Sequence, residues 1–234
     1  MAGPNWIPVA VLPNVYTSRT VEGDIVALAP VRDARIQAFL SAHPMFGEFL
    51  SRFTDTFNVP LEPVVFIVRE DAIPTFVDTQ GALLSFRDLT ALSVVPYARS
   101  HGLVYGRSER IMYANSFWLH PWMIDNDRLT ATTPAFAGVH VVEQFHGHSS
   151  PELPVMQLDE LDRPLFEALL VRWKRHYVGK RQRWQDRALF RSLNMAYQAA
   201  QLPAGIGTTL YDLGRIAALW VSAFEILAHP RTDS

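Results

Sequence analysis

The stretch from Asp186 to His229, DRALFRSLNMAYQAAQLPAGIGTTLYDLGRIAALWVSAFEILAH, constrains the fold more than any other part of the chain. It reads as two helices joined by a turn at Pro203, Gly205 and Gly207, with Thr208 or Thr209 capping the second and Asp212 in a capping-box-like position. The second helix is apolar on nearly every side except at Asp212, Arg215, Ser222, Glu225 and His229, so burial is expected. Only five residues follow His229, so a second copy of the chain or a further C-terminal region is expected to cover that helix. The run Ile216 to Ala228 is too short to cross a bilayer and carries Glu225, which favours a core helix and no membrane partner.

Arg215, Ser222, Glu225 and His229 recur at offsets that place them along one helix stripe. Glu225 sits among Phe224, Ile226 and Leu227, so its carboxylate is expected to be partly buried and to need a cationic or hydrogen-bonding partner. Arg191 and Asn194 on the preceding helix, and Arg215, are the candidate partners. An interhelical ion pair that fixes register is the expected role of this buried polar network, ahead of a functional polar site.

Upstream the pattern is mixed. Trp6 to Leu12 is strand-like but contains Pro8, which predicts an edge position because proline cannot donate to a ladder. Asp24 to Ala29 is a second short strand. Ile36, Phe39 and Leu40, then Phe46, Phe49, Leu50, Phe53 and Phe57, repeat at helical spacing and predict helices packed on a sheet by an aromatic stripe. Glu62 to Arg69 is the clearest strand, buried on both faces, and Phe86 to Ser100 predicts a helix with Asp88 near its start and Pro96 as a kink or stop. Short extended pieces fill Gly102 to Gln144. Ser149 to Pro154 reads as a linker, beyond which Asp162 caps a helix with Pro164 in its first turn and Phe166, Leu169, Leu170, Trp173 and Tyr177 on one face. The expected class is therefore α+β: a mixed α+β module over 1–154 and an all-α module over 155–234.

Composition narrows the chemistry. The absence of cysteine excludes disulfides, thiolate catalysis and sulfur-ligated zinc, and the formal charge of −2 gives no global pull on nucleic acid. The N-terminus has no basic region and its apolar run is broken by Pro8 and Pro13, so a cytoplasmic protein is expected. No GxGxxG, P-loop or HExxH occurs, no cofactor is expected, and the sequence around Ser149 lacks the glycine that closes a nucleophile elbow. His140, His146 and His148 are weak metal candidates, since His146 and His148 share one side of an extended segment. Asp125-Asn126-Asp127 reads as a turn.

The strongest functional hint is a basic run: Arg172, Lys174, Arg175, Lys180, Arg181, Arg183, Arg187 and Arg191, with Asp186 the only acid and Trp173, Tyr177 and Trp184 interleaved. Positive charge with aromatic rings is what phosphate contact and base stacking require. RNA or a nucleotide is the expected partner, against the plainer alternative of a solvated helix face.

At FRSLNMAYQAA, PAG and YDLGRIAALWVSAFEILAHP the chain resembles bacterial proteins in which such a run leads into a HEPN-like helical domain, ApeA-like proteins among them. The resemblance covers about residues 162–230. It implies a variable recognition part before a helical bundle held here in truncated form, and a role in defence against phage. RNA-cutting members carry an arginine followed, after four to six residues, by a histidine; no histidine here has an arginine at that spacing, and Arg172 and His176 are too close. No catalytic residue carries over. The expected function is non-catalytic recognition or regulation. The rivals are a ribonuclease with an atypical site between helices, a metal-dependent hydrolase at the three histidines, and a structural oligomerisation module.

Overall fold

In the computed structural model, residues 5–54, 59–72, 76–103, 114–125, 128–133, 136–139, 147–148, 155–179, 183–201 and 210–229 are described, with the backbone alone at 72, 76–79, 114 and within 121–148. The fold is α+β: an antiparallel sheet with helices on it, followed by a helical region. Its strands are β1 (Trp6–Leu12), β3 (Val21–Glu22), β4 (Val26–Ala29), β6 (Val64–Arg69), β7 (His120–Asp125), β8 (Arg128–Thr133) and β9 (Phe136–Val139), in the order β3-β4-β6-β1-β7-β8-β9. Two small pairs lie outside it: β2 (Val15–Tyr16) with β11 (Met156–Gln157), and β5 (Phe53–Thr54) with β10 (Gly147–His148).

β6 is buried on both faces, and its side chains alternate between two cores. Val65 and Ile67, with Val11, Ala27 and Ala29, meet α1 (Ala34–Ala42) and α2 (Pro44–Ser51) through Ile36, Phe46, Phe49 and Leu50. The aromatic stripe thus packs on the sheet as its spacing predicts, although α2 ends at Ser51, Phe53 belongs to β5 and Phe57 lies outside the described residues. Asp33 starts α1 by accepting from Arg35 N, and the Arg35 guanidinium beside it holds its carboxyl down at about 2.

Val64, Phe66 and Val68 face the second core, where α3 (Phe76–His101) lies. On α3 rest α4 (Arg163–Tyr177) and α5 (Trp184–Ala199). Trp173 of α4 is fully buried; its indole N–H reaches Ala82 O at 3.2 Å and Ser85 Oγ at 3.0 Å, and its ring meets Phe86 edge-on at 5.3 Å. One buried cluster therefore runs from Leu12 and Phe66 of the sheet to Trp173, Phe190 and Tyr197 of the helical region. α6 (Leu210–Ala228) packs along α5, where Ala223 and Ala196 close on Leu92 of α3.

Three sequence expectations change. β1 is interior, between β6 and β7. Pro8 is tolerated there because the β1–β6 register shifts between Pro8 and Ala10, and β7 pairs only with Ala10 and Val11, beyond the missing N–H. α3 begins ten residues before Phe86 and runs through Pro96 to His101, so Asp88 lies well inside it and is buried. α6 is largely exposed: Leu210 is 85% and Phe224 66% accessible, and Ala223 alone is buried. The packing of α5 covers one arc of the helix, and uniform apolarity by itself supplies no second neighbour. The Thr208 and Thr209 caps lie outside the described residues, as does the Ser149–Pro154 linker. Among the described residues no helix is long and apolar enough to cross a membrane.

Trp173 joins the two parts of the fold, so its loss should lower the stability of the whole chain. Trp173→Phe keeps an aromatic ring but removes the N–H and is expected to cost about 1–2 kcal/mol; Trp173→Ala is expected to cost about 3–5 kcal/mol. Urea unfolding followed by circular dichroism measures both.

Candidate functional site

The basic run divides by position. Arg172 and Arg175, one turn apart on α4, both bind Asp186 in the first turn of α5, with Arg175 Nε at 2.6 Å from Oδ2. Asp186 is fully buried, and the Arg175 guanidinium, helped by Arg172, holds its carboxyl below the usual carboxylate range against the opposing effect of burial. Its place in the first turn also suits the helix dipole. Lys174 reaches across to Asp24 Oδ1 at 2.8 Å. Asp24 has a positive φ of 65° in the turn between β3 and β4, whose Gly23 lies so close to Phe86 that a Cβ would stand 2.5 Å from its ring. These three cations therefore dock the helices to one another and to the sheet. Lys180 and Arg181 lie outside the described residues.

Arg183, Arg187 and Arg191 remain exposed at four-residue intervals, a spacing that forms one stripe on α5. Beside the stripe lies a cleft of about 310 Å³ between α3, α4 and α5. Arg187 and Arg191 line it, together with Asp88, Asn194 and the rings of His176, Tyr177 and Phe190. The three rings touch one another: His176 meets Tyr177 edge-on at 4.6 Å and Phe190 at 5.6 Å, and Tyr177 lies 5.7 Å from Phe190. His176 is buried and its Nδ1 has no hydrogen-bond partner among the described residues. Burial lowers its pKa, Asp186 opposes this and Arg187 adds to it, so the site favours the neutral imidazole.

Asp88 is 1% exposed. Arg87 donates to its Oδ1 from Nη2 at 2.7 Å and Nε at 3.0 Å, and Asn194 Nδ2 to its Oδ2 at 2.9 Å. Burial pushes the carboxyl above the usual carboxylate range, and Arg87 and Asn194 offset only part of that rise. Arg87 also lies 4.0 Å over the ring of Tyr197, whose hydroxyl burial pushes up to about 12.

The polar network expected around Glu225 does not form. Glu225, Arg215 and His229 are exposed, Ser222 is half-buried, Arg191 faces the cleft, and Asn194 serves Asp88. The arc of α6 that meets α5 carries Asp212, Ile216, Leu219, Ser222, Ala223 and Ile226, which leaves Glu225 on the far side. The polar link between these helices is instead Ser192 Oγ donating to Ala223 O at 2.7 Å. His140 and His146 lie outside the described residues, as does the side chain of His148 in β10, and no group of three metal-binding side chains occurs among those described. Sequence reasoning missed the Arg87–Asp88–Asn194 cluster and the docking role of Asp186. The signal for the second was present, since Asp186 is the one acid in the basic run.

Comparison of the chain with protein-family models, curated proteins and solved structures finds no match.

Because the folded-state pKa of Asp186 lies below its ordinary 3.8, its contribution to stability is complete above that value and is lost as pH falls through the folded value. Asp186→Asn is expected to cost about 1.5–3 kcal/mol at neutral pH, the range for hydrogen bonds to charged groups. The gap between the two proteins in urea midpoint should then narrow steadily below about pH 4.

Proposed function

We propose that this protein is a non-catalytic recognition protein that holds single-stranded RNA or a nucleotide at the α3–α4–α5 cleft. The observation that carries the reading is the cleft itself: a floor of His176, Tyr177 and Phe190 beside a rim of Arg187 and Arg191, with Arg183 continuing the stripe. Tyr177, the one ring of the three that is not buried, offers a face to a base, and exposed guanidinium groups take phosphate oxygens in bidentate fashion. Asp88 adds little repulsion, because Arg87 offsets its charge. Recognition without catalysis fits the cleft's titratable pair, in which the Asp88 carboxylate is occupied by Arg87 and Asn194. A place in phage defence rests on the resemblance to HEPN-like proteins alone.

Anisotropy titrations with labelled RNA and DNA oligonucleotides across a salt series test the reading. The expected result is binding that weakens with salt. Replacing Arg183, Arg187 and Arg191 with glutamine should flatten the log–log salt slope by about 2, at roughly 0.7 for each single-strand phosphate that is no longer neutralised. The helical circular dichroism signal should be unchanged. Absence of binding at low salt overturns the proposal.

A further inference from the structure

The exposed face of α6 has a period of its own. Leu210, Leu213, Ala217, Trp220, Phe224 and Leu227 are spaced three, four, three, four and three residues apart, which is the a/d pattern of a coiled-coil seam. All six are exposed: Leu210 is 85%, Leu213 54%, Trp220 38%, Phe224 66% and Leu227 51% accessible, and Ala217 lies open between them. The seam is about a third of a turn from the arc that packs on α5, so a partner helix can approach beside α5. Gly214, Val221 and Ala228 flank it, while Asp212, Arg215 and Glu225 fall outside it. No charge has to be desolvated when the seam closes.

The order of side-chain sizes selects the partner. Reversed about its middle, the seam matches itself: Leu210 meets Leu227 of a second copy, Leu213 meets Phe224, and Ala217 meets Trp220. An antiparallel pair of helices brings a positions against d positions in this way, and the two-fold axis repeats each layer, giving six. The smallest side chain thus faces the largest at the centre. A parallel pair would instead set Trp220 on Trp220 and Ala217 on Ala217, one layer overfilled and the next empty. An antiparallel pair also opposes the two helix dipoles. The five large seam side chains and Val221 present on the order of 600 Å² of apolar surface, taking roughly 150–250 Å² for each large side chain scaled by its exposure. That is most of the roughly 800 Å² each partner gives to a standard interface.

We infer that α6 is a dimerisation helix and that two copies of this chain pair through an antiparallel α6–α6 seam centred between Ala217 and Trp220. Pairing of this kind is independent of ligand binding at the cleft.

Light scattering on the full chain should give twice 26.4 kDa, and Phe224→Glu should return it to one chain's mass with its circular dichroism spectrum retained. Because the chain has no cysteine, orientation can be read by cross-linking. An oxidised mixture of Leu210→Cys and Leu227→Cys chains should yield a disulfide-linked heterodimer, while either variant alone should remain largely uncrosslinked. A monomer at every concentration, a Phe224→Glu chain that stays dimeric, or efficient cross-linking of Leu210→Cys to itself would each overturn the inference.

Discussion

Between the sheet and helices α4 and α5, α3 buries Ser85, Arg87, Asp88, Thr90 and Ser93, each less than a tenth exposed. A helix sandwiched this way can carry polar side chains only if each is satisfied where it stands. The hydroxyls turn back on their own helix: Ser85 Oγ donates to Gly81 O at 2.6 Å, Thr90 Oγ1 to Phe86 O at 2.8 Å, and Ser93 Oγ to Leu89 O at 2.7 Å. Asp88 is held by its neighbour Arg87 and by Asn194 of α5. Ser85 serves a second purpose by accepting from Trp173. The position of every later helix depends on this arrangement, because α4 and α5 reach the core through the surface that α3 presents.

What could be read from the sequence follows the same physics. Segments whose chemistry and environment agree were legible: the β-branched run of β6, the Asp162 cap and Pro164 of α4, and the phenylalanine stripe of α2. Asp162 accepts from Leu165 N at 3.0 Å, the bond the motif predicts. α3 was hidden at its start because Asp78, Thr79, Gln80 and Gly81 interrupt the apolar residues of its first turns, and Asp88 resembles a residue at a helix beginning. The place of β1 depends on a register shift, a property of two strands together that one strand's composition cannot carry. In α6 the apolar residues are plain in the sequence, but hydrophobicity records a need for a neighbour and does not say which molecule supplies it.

The basic run shows how charge counts mislead when position is ignored. Two of its cations converge on one buried carboxylate and a third spans to the β3–β4 turn, so much of the apparent excess is neutralised inside the fold. What faces outward is a shorter stripe with regular spacing beside aromatic rings. The candidate site thus includes cleft residues, Asp88, His176 and Phe190, that come from three helices and share no sequence pattern.

The two-residue strand β11 has a larger effect than its length implies. Met156 and Gln157 lie parallel to Val15 and Tyr16, Leu158 N bonds Tyr16 O at 2.9 Å, and Asp162 N bonds Ser93 O at 2.9 Å just before α4 begins. The chain is therefore fastened to β2 and to α3 immediately upstream of α4. Closing that junction joins segments far apart in sequence, an entropic cost offset only once the sheet and α3 have formed. The entry point and direction of α4 are thus set by contacts to β2 and α3 rather than by α4's own sequence.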